Sequence, residues 1–288
     1  MLITRNRRMT GFAFTYDNWG TNPASTIGTS VVPGASDAEG NWTQIASAAN
    51  IAQDCYWLYF QVHSGATAAA AKNHLLDIGV DPAGGTSYTA FVSNLQVGSA
   101  PSLTAAGNRE FCFPMYIKGG TSVAVRIQGT QATAGTARVA ARFYGRPTNM
   151  DVVPIGMYSQ TMGTPSGSLG QAFTPGNASD GSWADLGATT RDMFWWQLGY
   201  GINNGTVTAE YTYIELAYGD ATTKDTIFKI MHGGTTGETC GLAAQTSLIP
   251  CAAYQHVPAG MHIYIRGRCN NAPDTGYHAT VVGIGGIG

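Results

Sequence analysis

Between positions 232 and 278 the sequence gathers His232, His256, His262 and His278 with Cys240, Cys251 and Cys269. Imidazole and thiolate are ligands that zinc favours, so a tetrahedral site is the chemistry these residue types could do. Their spacing argues against it, because structural zinc sites use closely spaced ligand pairs and no Cys-x-x-Cys or similar pair occurs here. Cys55 and Cys112 bring the cysteines to five, and reduced, buried thiols are the expectation. Ser36–Asn41, SDAEGN, sets Asp, Glu and Asn around a glycine as a calcium loop does. A later copy of that stretch, NASDGS, keeps a single carboxylate where a hard cation wants several oxygens, so the reading is a polar loop. No metal or cofactor is expected. Trp42, Trp57, Trp183, Trp195 and Trp196 could stack against a sugar ring, but large aromatics at matched places dominate sandwich interiors, and core is the simpler assignment. The sequence has no HExxH, GxSxG or GxxxxGK[ST], which removes the commonest signatures of metalloprotease, α/β-hydrolase and P-loop chemistry and leaves a non-enzymatic protein as the expectation. Arg5, Arg7 and Arg8 form a basic cluster, either a solvated terminus or an arm that docks on an acidic partner surface.

The elements that would hold these residues are written twice. GGTSVAVRIQG (119–129) returns as AGMHIYIRG (259–267), which places Arg126 and Arg266 140 positions apart. Trp42 and Trp183 stand 141 apart, Trp57 and Trp195 138 apart, LLDIGV (75–80) returns as YIELAY (213–218), and Gly145 is matched by Gly285. Ordered landmarks with so little drift identify a tandem duplication, and the period is far longer than that of a solenoid or propeller unit. Each copy is thus a domain. The expected division is an arm over 1–30, a first sandwich over 31–148, a linker over 149–170 and a second sandwich over 171–288. Val123, Val125 and Ile127 alternate with polar or small residues, as do Ile263 and Ile265, the signature of strands with one buried face. The alanine-rich stretch 66–79 favours helix by propensity, yet its partner 206–219 is full of β-branched and aromatic residues, so strand is expected in both. The fold class is all-β, with two tandem jelly-roll-like antiparallel sandwiches.

Composition narrows the role. Glycine fills 38 of 288 positions and charged residues only 11%, while 44% are hydrophobic and 10% aromatic, so the chain can bury a core beneath a weakly charged surface. Such a surface repels its neighbours poorly and suits lateral packing, which makes a homo-oligomer the expectation. The net charge of −2 argues against a nucleic-acid coat. No apolar run is long enough for a membrane span, and MLITRNRRMTGFAF lacks the apolar stretch of a secretory signal, so synthesis in the cytoplasm is expected. The sequons at Asn41, Asn177 and Asn204 then read as turns.

The first copy, running from NW (41–42) through DIGVDPAGG (77–85) to FPMYIKGGTSVAVRIQ (113–128), resembles the small β-sandwich modules of tailed-bacteriophage structural proteins, in particular capsid decoration (cement) proteins. The second copy departs from that pattern, with CAAYQHVPAGMHIYIRG (251–267) in place of FCFPMYIKGGTSVAVRIQG. The resemblance implies a jelly-roll fold, a place on the capsid surface of a virion, and the major capsid protein as partner. A tail, baseplate or head-fibre component that binds a host glycan is the alternative.

Overall fold

A computed structural model describes residues 15–18, 28–64, 74–97, 108–129, 136–146, 156–163, 170–202, 210–234, 252–270 and 277–286. These residues form strands and connecting turns with no helix among them, and none of the described elements is a helix able to cross a membrane. In the first repeat the strands are β1 (Thr15–Asn18), β2 (Thr29–Val31), β3 (Thr43–Ala46), β4 (Trp57–Ser64), β5 (His74–Asp81), β6 (Thr89–Gln96), β7 (Asn108–Phe113), β8 (Ser122–Gly129) and β9 (Ala137–Tyr144). The second repeat supplies β10 (Tyr158–Met162), β11 (Gln171–Phe173), β12 (Gly176–Asn177), β13 (Ala184–Ala188), β14 (Met193–Ile202), β15 (Glu210–Gly219), β16 (Lys224–Gly234), β17 (Ala252–Val257), β18 (His262–Cys269) and β19 (Tyr277–Gly285).

The first repeat packs a β1-β9-β4-β7 sheet, with β2 also on β9, against a β3-β8-β5-β6 sheet. The second does the same with β10-β19-β14-β17, plus β11 on β19, and β12-β18-β15-β16, plus β13 on β18. All ladders between the described strands are antiparallel except the two-residue contact of β12 with β18. Alternation drives the layering: Val123, Val125 and Ile127 of β8 and Ile263 and Ile265 of β18 are fully buried in their respective cores.

The duplication holds atom by atom. Gly120 and Gly260 adopt φ of 85° and 84°, a left-handed conformation that glycine takes without steric cost, and each donates its N–H to the matched carbonyl, Ile51 at 2.7 Å and Thr189 at 2.8 Å. Asp54 accepts from the Gly119 N–H at 2.8 Å, and Asp192 accepts from Ala259 at 2.8 Å, so one carboxylate per repeat fastens the same turn. Even the strained non-glycine positions recur, Asp37 at φ 57° and Ala178 at φ 51°.

The stretches set aside as arm and linker both contribute strands. Thr15–Asn18 pairs with β9 and Tyr158–Met162 pairs with β19, so each sandwich begins upstream of its expected boundary. The physical reason is tertiary: these short segments lack a period of their own and acquire structure from the edge they complete. Among the described residues the two repeats share an isolated backbone bridge, Met115 with Gly156, and no longer ladder, and they meet along a buried seam. There the outward face of β10, β19 and β14 covers the open edges of β6 and β7. Ser159 donates its hydroxyl to the Phe91 carbonyl, Ser93 N–H reaches Thr161 Oγ1 at 3.3 Å, and Gln96 N–H reaches Thr280 Oγ1 at 2.8 Å. On β7, Cys112 N–H donates to Gln197 Oε1 and its carbonyl accepts from Trp195 Nε1, both at 3.0 Å. Phe194, Val282 and Ile284 of the second repeat are buried within the first repeat's core cluster. Gly199 lies so close that a Cβ there would stand 2.3 Å from the Gln96 carbonyl oxygen.

Candidate functional site

The residues that the two copies share on their outer faces form one constellation, built twice. In the first repeat, β8 and β5 pair Arg126 with Asp77, which places both side chains on the water-facing side of the sheet. Arg126 donates Nε–H to Asp77 Oδ2 at 2.9 Å, meets Glu39 Oε2 at 2.5 Å, and lays its guanidinium 4.5 Å over the Trp42 ring. In the second, Arg266 donates to Glu215 Oε2 at 2.8 Å, meets Asp180 at 2.8 Å, and lies 4.2 Å over Trp183. A guanidinium is planar and can satisfy two carboxylates at its edge while its face stacks on an indole, which explains why arginine rather than lysine occupies both positions.

The ring beneath the arginine is closed to ligands on that side. Below Trp42 lies Gly79, where a Cβ would stand 2.7 Å from Cη2 of the indole. Gly79→Ala is therefore expected to lift Trp42 from its seat and lower stability by about 1–3 kcal/mol, the usual cost of overpacking. Chemical denaturation followed by tryptophan emission checks this, and an unchanged midpoint would refute the close fit.

The carboxylates differ between the copies. Burial, the nearby Asp77 carboxylate and a hydrogen bond to it raise Glu39 above the usual range against the pull of Arg126. Burial alone would raise Glu215 too, but the Thr226 hydroxyl at 2.5 Å, Arg266, and Lys229 at 3.2 Å together hold it below. The second copy also carries more around its Trp. Lys224 Nζ stands 4.4 Å over Tyr264, whose ring also stacks with His262, and His262 Nδ1 is 2.8 Å from Asp185.

The remaining sequence candidates fall elsewhere. Arg5, Arg7, Arg8, Cys240 and Cys251 lie outside the described residues. His256 faces Asp192 at 3.7 Å, His262 faces Asp185, and the Cys269 thiol donates to the Gly176 carbonyl, so these three are dispersed. Among the described residues no cluster of His, Cys, Asp and Glu is grouped to hold a metal ion. Glu39 of the calcium-like loop is turned toward Arg126. Cys55 and Cys112 are buried, which pushes each thiol up to about 12. Trp196 is fully buried and donates to the Gln255 carbonyl, while Trp57 and Trp195 pack edge to face at 5.3 Å. Alternation alone places both arginines on a polar strand face, as a structural or interface pair, and does not mark their seats on Trp42 and Trp183. The landmark alignment held the signal, because Asp77 and Glu215 are acidic at one matched strand position.

No protein-family model matches the chain, and no curated protein matches it. Similar solved structures include PNGase F, a glycosylasparaginase from Flavobacterium meningosepticum, with a TM-score of 0.39 and 9% identity over 95% of this chain and 97% of that one. The STIV MCP gives a TM-score of 0.33 and 11% identity over 91% and 98%. The CBM22-1–CBM22-2 tandem domain of Xyn10C from Paenibacillus barcinonensis gives 0.24 and 11% over 92% and 99%. These likenesses are distant, and the β-sandwich assignment rests on the sheets themselves.

Proposed function

We propose that this chain is a non-enzymatic structural protein of a virion, one that binds the outer surface of a phage capsid and stabilises the shell. The observation that carries the reading is the seam. It locks two sandwiches of one design into a fixed relation, so each matched surface is presented twice at a set spacing. A repetitive lattice is the target that such a unit fits, because the second contact becomes intramolecular and avidity can exceed either affinity by ~10²–10⁴. Stabilisation then follows by mass action, since a ligand of the assembled state alone shifts the equilibrium toward it. The sequence resemblance to decoration proteins supplies the partner, the major capsid protein. The cover of arginine over Trp42 and Trp183 weighs against the alternative of a glycan stacked on those rings.

Particles lacking the protein are expected to assemble yet lose DNA at a lower temperature or under osmotic shock, with recovery when it is added back. Exchanging Arg5, Arg7 and Arg8 for glutamate should weaken that recovery most at low salt, where charge is least screened. Particles that stay robust without the protein but fail to adsorb to cells would replace the capsid role with that of a glycan-binding fibre.

A further inference from the structure

β6 closes one sheet of the first repeat and also gives its backbone to the seam, and its course is irregular where it does so. In a regular strand the N–H groups that point to one side belong to alternate residues. Ser93 and Gln96 both donate across the seam, to Thr161 and Thr280, although an odd number of steps separates them. An extra residue must therefore lie between. The register locates it: Leu76 pairs with Leu95 and Ile78 with Val92, so three steps along β6 match two along β5, which is a bulge. The bulge contains Asn94, whose φ of 55° is left-handed.

One side chain holds that bulge. Asp77, 3% exposed, accepts the Asn94 N–H on Oδ1 at 2.6 Å and the Arg126 Nε–H on Oδ2 at 2.9 Å. Arg126 is fixed in turn by the Trp42 ring and by Glu39. A single line of contacts thus runs from the outer-face cluster through Asp77 and the Asn94 backbone to the bonds that β6 makes with the second repeat. The other copy supplies the control. Glu215 stands opposite Arg266 as Asp77 stands opposite Arg126, but its longer side chain takes the Thr226 hydroxyl at 2.5 Å and Lys229 at 3.2 Å in place of a backbone N–H. β16 keeps regular register beside it, from Ile214–Ile230 to Leu216–Phe228, and none of its described residues has positive φ. The left-handed bulge belongs to the edge that docks.

We infer that Asp77 is the latch of the seam. By accepting the Asn94 N–H it keeps β6 in the bulged shape on which the second repeat docks, and Arg126 sets its orientation, so the outer-face cluster and the docking of the repeats form one conformational device. A carboxylate suits the task, because a hydrogen bond to an ionised acceptor is short and roughly twice as strong as a neutral one. Asp77 is a positioning residue that acts through the backbone of β6. A contact that drew Arg126 off Asp77 from outside would loosen the bulge, and with it the set spacing of the two sandwiches. The inference concerns what keeps the repeats together and is independent of what they bind.

Hydrogen exchange on the full chain, read amide by amide, tests it. Cys112 is the reporter, because its N–H is bonded to Gln197 across the seam from β7, in the opposite sheet from Asp77. Asp77→Ala should speed exchange at Gln96 and Cys112 together by about tenfold or more, the loss of one hydrogen bond to a charged acceptor, while the β4–β9 ladder stays protected. Asn94→Val should do the same with Asp77 and Arg126 still paired, since a β-branched residue disfavours left-handed φ. Adding Asn94→Gly to Asp77→Ala should restore slow exchange at Cys112, because glycine takes a φ of 55° without support. Glu215→Ala should leave Cys112 as in the wild type. Faster exchange confined to Gln96, no recovery with glycine, or equal acceleration by Glu215→Ala would each overturn the inference. If Asp77→Ala unfolds the first repeat, Asn94→Val decides, and slow exchange at Cys112 in that variant overturns it.

Discussion

Gly199→Gln, which copies into the second repeat the residue that stands at position 61, splits the unfolding of the chain into two transitions. A Cβ at 199 would lie 2.3 Å from the Gln96 carbonyl oxygen, and the obstacle is backbone, which cannot rotate away. Either the strand shifts or the repeats part. Parting exchanges the bonds of the Gln96 and Cys112 N–H groups to Thr280 and Gln197 for bonds to water, a net loss of about 0.5–1.5 kcal/mol each, and returns Phe194, Val282 and Ile284 to water. With the steric term added, the docked state should lose at least about 3 kcal/mol. Differential scanning calorimetry reads the outcome. Wild type should give one cooperative endotherm and the variant two, whereas a single endotherm with an unmoved midpoint would show that the seam does not couple the repeats.

Arg126→Ala has an effect of similar size by a different route. It leaves Asp77, whose side chain is 4% exposed, and Glu39 facing each other with no cation between them. Breaking a buried pair costs about 3–5 kcal/mol, and the partial exposure of Arg126 places this one near 3 kcal/mol. The deficit should depend on pH, with a definite sign. Glu39 is already raised in the folded state, so its contribution is present below its unfolded value of about 4.3 and is lost as pH rises through the folded value. Without Arg126 that rise grows, so the variant should be weakest at pH above the raised Glu39 value and approach wild type as the pH falls below it. Glu215 runs the other way. Its folded value is depressed, so what it contributes is present above about 4.3 and is lost as the pH falls further. Acid should therefore remove the stability that Glu215 contributes to the wild type while the Glu39 contribution persists. Urea midpoints of the wild type and of Arg126→Ala measured across this range distinguish the two. A deficit independent of pH would mean that Arg126 acts by packing alone.

What the sequence exposed and what it concealed divide along the range of the interaction. The pairs Trp42 with Trp183 and Arg126 with Arg266 are visible because duplication preserves order along the chain, and the strand face of Val123, Val125 and Ile127 is visible because alternation is local. That Arg126 lies over Trp42 is not, since the two are far apart in sequence and meet only when β3 pairs with β8. The strand Tyr158–Met162 escaped for the same reason, as its order comes from β19 and not from its own composition. The seam leaves a trace in the sequence. MFWWQLGYGI and YHATVVGIG are apolar without alternation, the mark of strands covered on both faces, whereas their counterparts WLYFQVHS and ARVAARFY interleave polar residues.

That double covering bears on how the protein is made. Before the first repeat docks, the sheet of β10, β19, β14 and β17 would turn Phe194, Val282 and Ile284 toward water, an apolar patch of the kind that draws other chains. Translation releases the N-terminal part first, and domains fold as units while the rest is still on the ribosome. The strands of the first repeat are thus synthesised before the vulnerable sheet emerges, so the surface that covers it precedes it along the chain. A gene with the two halves exchanged would specify the same contacts yet deliver the sticky surface first, so the order of the copies protects the nascent chain in a way the finished structure no longer reveals.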